Sequence, residues 1–256
     1  MEGLRGEELL AALESGEVRA AEPAVGGGWR VHAWVKEAIL ALFRERPAVE
    51  VGTQRELWPF VDKLGVRAFE RGAQVRFVPG GSAVRRGAHV GSGCVLMPPC
   101  YLNVGAHVGP GTMIDSHALV GSCAQVGARV HVSAGVQIGG VLEPAGARPV
   151  IVEDEAFLGG QCGLYEGVLV HARAVLAAGV VLTASTRVFD LVHERELPAE
   201  PDAPLEIPSG AVVVPGTRAL AHGYAREQGL ALACALIVKY RDAKTDARTA
   251  LEDALR

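Results

Sequence analysis

Aliphatic side chains recur at every sixth position through the middle of the chain. The longest unbroken register holds Val84, Val90, Leu96, Leu102, Val108, Ile114, Val120, Val126, Val132 and Ile138. A small residue usually stands four positions after each of these, and glycine often follows directly. Neither an α-helix nor a simple amphipathic strand repeats every six residues. The pattern is typical of a parallel β-helix, in which short strands stack coil upon coil.

The six-residue register is interrupted and then resumes. Its second part holds Val152, Leu158, Leu164, Val170, Leu176, Leu182 and Val188. A step of 14 residues separates the two parts, so residues 139–151 must contain a loop that leaves the coil and rejoins it. Ile207 and Val213 form one further pair after a second predicted loop, at 189–206. Since three hexads make one turn, the two parts predict about five to six coils.

The segments on either side of the repeat follow other patterns. Residues 7–13 and 31–43 predict helices, and Trp29, Trp34 and Trp58 lie in the same region as expected core residues. After the repeat, 218–229 is loop-like, 230–238 predicts a buried strand and 245–256 a short helix. A cap at each end would cover the open edges of the β-helix.

The fold class that we predict has an all-β core. It is a left-handed parallel β-helix of hexapeptide repeats, with an N-terminal α-helical cap and a short C-terminal strand and helix extension. We place the N-terminal domain at 1–62, the β-helix at 63–217 and the C-terminal extension at 218–256.

Composition narrows the classes of function. The net charge is −4, which does not suggest nucleic acid or an anionic membrane as a partner. The first ten residues lack the apolar stretch of a secretion signal, and no apolar run is long enough to span a bilayer. The 5 cysteines cannot all pair, and Cys94, Cys100 and Cys162 occupy small positions of the hexad. We therefore expect buried free thiols and a cytoplasmic location.

Long hexapeptide repeats occur mostly in acyltransferases that use acyl-CoA or acyl-carrier protein, although fold alone does not assign function. Carbonic anhydrases and purely structural proteins share the architecture. A zinc site of the carbonic anhydrase type needs three converging histidines. His89 and His107 lie one coil apart, but the next equivalent position is Gln125. No metal site is therefore expected.

The most specific stretches of the sequence are GTMIDSHALVGSCAQ at 111–125 and GGVLEP at 139–144. They closely resemble the tetrahydrodipicolinate N-succinyltransferase family of the diaminopimelate and lysine route. Further matches to that family are WVKEAIL at 34–40, Asp62-Lys63, VLMP at 95–98, YLN at 101–103, STR at 185–187, PSGAVVV at 208–214, CALIVK at 234–239 and DAKT at 242–245. The resemblance covers residues 30–256 and is far more specific than the hexad pattern.

The resemblance implies a homotrimer in which acyl-CoA lies in the groove between neighbouring prisms. The reaction would move a succinyl group from succinyl-CoA, a co-substrate, to the amine of an opened tetrahydrodipicolinate, without a permanently bound cofactor. Such a site must hold the amine neutral, orient it and stabilise an oxyanion. It must also bind a dicarboxylate, for which arginine is suited.

Four residues are candidates for these roles. Asp115 directly follows Ile114, where most hexads carry a small residue, and the resemblance places a substrate-binding aspartate there. The alternative is a solvated surface charge. Arg76 matches the arginine that binds the substrate carboxylate in the family. Lys239 and Lys244 could contact CoA phosphates or could simply be solvated.

One coil departs from the family pattern. The family reads approximately FIGARSEVVEG where this chain has FLGGQCGLYEG at 157–167. The family's proposed catalytic glutamate therefore falls on Gly163 and a nearby arginine on Gln161, whereas a second glutamate is kept as Glu166. A tryptophan usually found two residues after the aspartate is His117. These changes favour altered chemistry or an altered substrate.

Two side chains could replace the lost base. His117 follows Asp115 closely, and histidine serves as the base in other hexapeptide acyltransferases, although it could also be a partly exposed polar residue. Glu166 is a weaker catalytic candidate, because the family pattern contains this glutamate beside its proposed catalytic one, where it need not be catalytic. The leading prediction is succinyl transfer to tetrahydrodipicolinate. A diverged paralogue that acylates a related amino acid and a non-catalytic trimeric scaffold remain the alternatives.

Overall fold

The computed structural model of the chain describes residues 3–51, 60–70, 72–198 and 204–245. Trp58 and nearly all of the helix predicted at 245–256 lie outside these residues. The predicted parallel β-helix of hexapeptide repeats is confirmed, because strands one coil apart pair in parallel along the prism.

The N-terminal segment contains both predicted helices. Its elements are α1 (Gly6–Ser15), β1 (Ala21–Pro23), β2 (Trp29–Val31), α2 (Ala33–Glu45), β3 (Val49–Val51) and β4 (Phe60–Asp62). The β1–β2 hairpin turns through glycines 26–28, all at positive φ, and was not predicted. The apolar faces of the two helices pack with Val104 and Cys123 of the β-helix, so this segment lies against the side of the prism.

The coils are built from short strands. In chain order they are β5 (Val75–Phe77), β6 (Ala83–Val84), β7 (His89–Val90), β8 (Cys94–Leu96), β9 (Tyr101–Leu102), β10 (His107–Val108), β11 (Met113–Ile114), β12 (Leu119–Val120), β13 (Gln125–Val126), β14 (His131–Val132), β15 (Gln137–Ile138), β16 (Ile151–Val152), β17 (Phe157–Leu158), β18 (Gly163–Leu164), β19 (Leu169–Val170), β20 (Val175–Leu176) and β21 (Val181–Leu182).

These strands form three parallel sheets. Face A contains β5, β8, β11, β14, β17 and β20; face B contains β6, β9, β12, β15, β18 and β21; face C contains β7, β10, β13, β16 and β19. The chain passes from face A to face B to face C in each coil. Every aliphatic residue of the predicted register is buried, with an exposed fraction of 6% or less. The hexad thus correctly identified the inward positions of the core.

The two predicted interruptions differ in structure. No strand lies between β15 and β16, and buried Lys36 of α2 ties this loop to the N-terminal segment by donating a hydrogen bond to the Ala147 carbonyl, 2.5 Å away. The second interruption includes a hairpin of β22 (Val188–Asp190) and β23 (Arg195–Glu196), which are antiparallel.

The last strands extend the prism. They are β24 (Glu206–Ile207), which joins face C, then β25 (Ala211–Ala219), α3 (Gly223–Glu227) and β26 (Ala231–Tyr240). β25 joins face A and pairs antiparallel with β26, whose other edge pairs with β22. The strand predicted at 230–238 is present, but its first residues and Val238 are exposed, so it is only partly buried. The segment predicted as loop-like at 218–229 contains α3.

All five cysteines are buried and unpaired, and burial was expected for Cys94, Cys100 and Cys162 at small positions of the hexad. Burial raises the pKa of the Cys94, Cys100 and Cys162 thiols, and it raises that of Cys123 to about 12. Among the described residues, no helix is both long and apolar enough to cross a membrane.

Candidate active site

The corner between faces A and B presents two of the predicted site residues in one turn. Asp115 is partly exposed, and its Oδ1 accepts a hydrogen bond from the backbone N–H of Ser116 at 2.7 Å. His117 is exposed and has φ of 62°, in the left-handed region that few side chains adopt. The turn therefore leaves the second carboxylate oxygen of Asp115 and the His117 ring accessible to a substrate.

Gln161, where the resemblance predicts an arginine, lies two coils further along the same corner. On the coil between them, the equivalent position is Gly135, which is buried. A Cβ atom at Gly135 would collide with the side-chain amide of Gln161. The carboxamide therefore lies across Gly135, on the side of the corner that carries His117. The structure thus brings two of the substituted positions to one corner.

Gly163, where the resemblance predicts a glutamate, lies on face B and is covered by an aromatic ring. A Cβ atom at Gly163 would be 2.7 Å from Cε2 of Tyr165 and 3.2 Å from its hydroxyl oxygen. A Cβ atom at Gly139, on the preceding coil, would be 2.8 Å from Cδ1 of the same ring. The space that a side chain at position 163 would fill is therefore occupied by the Tyr165 ring.

Glu166 lies at the corner between faces B and C, beyond Tyr165. Its Oε2 accepts a hydrogen bond from the backbone N–H of Ala184 at 3.0 Å, and its own φ is 54°. The side chain is exposed and borders a cleft of about 590 Å³ formed with the loop after β15 and with Pro204. Because this corner is not the one that carries Asp115, the structure does not group the two carboxylates in one turn.

Arg76 and Lys239 lie near opposite ends of face A. Arg76 is exposed on β5, and its register partner Val95 pairs in turn with Met113, two residues before Asp115. The backbones of β5 and β11 are therefore two strand spacings apart, about 10 Å. Lys239 lies seven strands from β5, a span of about 34 Å. Within one chain, these two cations therefore cannot bind the same small substrate.

The two C-terminal lysines differ in environment. The Lys239 ammonium pairs with Asp242 at 3.1 Å and also donates to the Thr245 hydroxyl. The hydrogen bonds from Thr245 and Lys239 lower the pKa of Asp242. Lys244 is exposed. A phosphate that bound Lys239 would have to compete with Asp242.

A second polar cluster, which sequence reasoning missed, joins face C to the N-terminal hairpin. Glu153 accepts hydrogen bonds from Trp29 Nε1 at 2.8 Å and from the backbone N–H of Ala172 at 3.0 Å, and it pairs with His171. The hydrogen bond with His171, aided by those from Trp29 and Ala172, lowers the pKa of Glu153 to about 2. Trp29 is thus a partly exposed anchoring residue rather than a core residue, whereas Trp34 packs against the N-terminal core.

The histidines of face C stack as the spacing predicted. The His89 and His107 rings lie 4.4 Å apart, and Gln125 follows on the next coil, where its Oε1 accepts a hydrogen bond from Arg19. Burial, with a contribution from Arg19, lowers the pKa of His107 to about 2. In the described part of the chain, no three His, Cys, Asp or Glu side chains gather as a metal site would require.

The family model for the N-terminal domain of tetrahydrodipicolinate N-succinyltransferase matches residues 7–44, and the model for the hexapeptide repeat of succinyl-transferase matches 149–184. A 2,3,4,5-tetrahydropyridine-2,6-dicarboxylate N-succinyltransferase from Bordetella avium is 44% identical over 98% of this chain and 88% of its own length. One from Caulobacter vibrioides is 41% identical over 98% of this chain and 89% of its own length.

A solved structure supports the same fold. It is the crystal structure of a putative 2,3,4,5-tetrahydropyridine-2-carboxylate N-succinyltransferase from Campylobacter jejuni, with a TM-score of 0.50 and 17% sequence identity. The match covers 93% of this chain and 64% of that chain. At this identity the likeness shows the architecture alone.

Proposed function

The chain belongs to the tetrahydrodipicolinate N-succinyltransferase family, and from this premise we propose that it transfers a succinyl group from succinyl-CoA to the amine of opened tetrahydrodipicolinate. This is an acyltransferase reaction of lysine and diaminopimelate biosynthesis. The observation that carries the proposal is the 44% identity over 98% of the chain to relatives of that name.

The roles of the site residues form part of the proposal. Asp115 accepts a hydrogen bond from the substrate amine, and Arg76 binds a substrate carboxylate. Lys239 and Lys244 contact CoA phosphates, away from the acceptor end of the site. Among the predicted residues, His117 and Glu166 are the candidates for acid–base catalysis, and His117 is favoured because it shares one turn with Asp115.

The predicted division into 1–62, 63–217 and 218–256, the left-handed sense of the β-helix and a cytoplasmic location are kept as parts of this proposal. The five buried free thiols support a reducing compartment.

A homotrimer with active sites between neighbouring prisms is also proposed. The separation of Arg76 from Lys239 along face A supports it, because a groove shared by two prisms can hold a long CoA molecule together with a small acceptor. Light scattering at micromolar concentration should give a mass of about 80 kDa, three times the 26.8 kDa of one chain. A monomeric mass would contradict the shared site.

The activity is tested by release of free thiol from acyl-CoA. We expect release from succinyl-CoA in the presence of 2-aminopimelate, a stable substrate analogue, and slower release from acetyl-CoA. The buried thiols of the protein should give a low background with a thiol reagent. If no acceptor among several amino dicarboxylates supports release, the chain would instead be a non-catalytic scaffold.

A second candidate is a paralogue that acylates a related amino acid. It is favoured by the changes at Gln161 and Gly163 and by the Tyr165 ring that covers face B beside them. Comparing acceptors of different length in the thiol assay separates the candidates, since a diverged enzyme should prefer another amine over 2-aminopimelate by at least about tenfold in kcat/KM.

A further inference from the structure

The Tyr165 ring lies flat on face B because two glycines leave room for it. Its Cδ1 would be 2.8 Å from a Cβ at Gly139, and its Cε2 would be 2.7 Å from a Cβ at Gly163. Either side chain would have to displace the ring, since real Cβ atoms do not approach carbon so closely. Gly163 is buried beneath the ring although it occupies an outward position of the hexad.

The Tyr165 ring and a side chain at position 163 therefore exclude each other. The family pattern has valine where this chain has Tyr165, so the ring and the glycine beneath it replace a valine and a glutamate. The hydroxyl oxygen lies 3.2 Å from the Cβ position of Gly163. It therefore occupies volume that the side chain of a glutamate at position 163 would fill.

The Tyr165 hydroxyl is available to a ligand. The residue is 37% exposed, and no described residue forms a hydrogen bond with its hydroxyl group. A phenol can donate one hydrogen bond and accept another at the same time. It can therefore relay a proton by accepting one at its oxygen while releasing its own.

We propose that Tyr165 is the catalytic acid–base residue of this site, acting in place of the carboxylate that Gly163 cannot supply. This inference rests on the proposed acyl transfer. The amine nitrogen attacks the thioester carbonyl, so a C–N bond forms and the C–S bond breaks. The phenol oxygen accepts the proton that the nitrogen loses while its own proton passes to the departing thiolate. The products are an amide and neutral CoA thiol, and Tyr165 ends unchanged.

The first test is Tyr165→Phe, which keeps the ring over both glycines and removes only the hydroxyl. We expect kcat for succinyl transfer to fall about 10²-fold or more, the usual contribution of an acid–base group, with KM for succinyl-CoA unchanged. Tyr224→Phe, on exposed α3, is the matched control and should retain native kcat. Native kcat in Tyr165→Phe would overturn the inference and leave His117 as the candidate base.

The second test uses the steric coupling of the two positions. Gly163→Glu alone should fail to raise turnover, because its side chain meets the Tyr165 ring. Gly163→Glu combined with Tyr165→Val frees the space for a carboxylate, and the double variant should exceed Tyr165→Val in kcat by about tenfold or more. Two results would refute the idea that Tyr165 acts in place of a carboxylate at position 163. One is a higher turnover in Gly163→Glu alone, and the other is a double variant that only equals Tyr165→Val.

The thiol assay on the native protein distinguishes failure of the proposed acyl transfer from failure of the proposed role of Tyr165. No release with any acceptor would reject the proposed acyl transfer and the role of Tyr165 together. Native turnover that survives in Tyr165→Phe would reject the role of Tyr165 and leave the acyl transfer standing.

Discussion

Replacing Asp115 by asparagine is expected to lower turnover by about 10²-fold or more while the fold and the assembly persist. Oδ1 of Asp115 accepts the Ser116 N–H at 2.7 Å, and the amide oxygen of asparagine can accept the same bond. The backbone of the corner should therefore hold its shape. The change removes the negative charge and turns the second oxygen into a donor, which cannot accept a hydrogen bond from the substrate amine.

A matched control for Asp115→Asn exists at another corner of the prism. Oδ1 of Asp154 accepts the backbone N–H of Ala128 at 2.8 Å, so it is also a corner carboxylate that bonds to the main chain. Asp154→Asn should leave kcat and KM unchanged. The measurement is the steady-state rate of thiol release with 2-aminopimelate. Equal kinetics in the two variants would make Asp115 an ordinary surface charge.

The coil architecture could be predicted from the sequence because each coil repeats the same local requirement. An inward aliphatic residue is needed at every sixth position to fill a thin core, so the register reports the strands directly. The buried positions from Val84 to Val188, and the small positions such as Cys94 and Cys162, follow that rule. Interactions one coil apart are then fixed by the spacing of 18, as the stacked rings of His89 and His107 show.

Features outside the repeat were harder to predict. The β1–β2 hairpin and the β22–β23 hairpin interrupt helix and loop patterns with strands only two or three residues long. Such strands are stabilised by their partners rather than by their own sequence. The glycines at 26–28 were the available signal for the first hairpin, since consecutive residues at positive φ favour a turn between paired strands.

The candidate site came from the resemblance more than from the residues. Asp115 and His117 are close in sequence and share one turn, whereas the direction of the Tyr165 side chain depends on contacts with two different coils. The sequence did contain a signal for the position of the ring. Tyr165 stands where the family pattern has valine, two residues after the position at which the resemblance predicts a glutamate. The glycines at the outward positions 139 and 163 were the second part of this signal, since they leave room for a ring. The sequence-based interpretation grouped Gly163 with Gln161 and His117 but did not include Tyr165.

The end of the prism is held by a buried carboxylate. The side chain of Asp190, at the end of β22, is fully buried and accepts hydrogen bonds from His193 Nδ1 at 2.7 Å and from the Tyr240 hydroxyl at 2.9 Å. It also accepts the backbone N–H of Val192 at 3.2 Å. Asp190 thus joins β22 to the turn that follows it and to β26.

Removing the Asp190 carboxylate should lower the free energy of unfolding of the chain. Asp190→Ala removes the acceptor of the His193 ring, the Tyr240 hydroxyl and the Val192 N–H, and losing hydrogen bonds to a charged group typically costs about 1.5–3 kcal/mol. Urea unfolding followed by tryptophan fluorescence at pH 7 measures the loss. Asp242→Ala, which removes an exposed carboxylate paired with Lys239, is the control and should change the free energy of unfolding far less than Asp190→Ala does.

The same carboxylate predicts how stability depends on pH. Burial alone would raise the pKa of Asp190, but the hydrogen bonds from His193 and Tyr240 outweigh it and lower the pKa from 3.8 to about 2. Because the folded pKa is below the unfolded one, the contribution is fully present above pH 3.8 and is lost as the pH falls towards 2. The native protein should therefore lose about 2 kcal/mol more than Asp190→Ala between pH 5 and pH 2. Equal acid sensitivity of the two proteins would show that Asp190 is not the group that holds this end of the prism together.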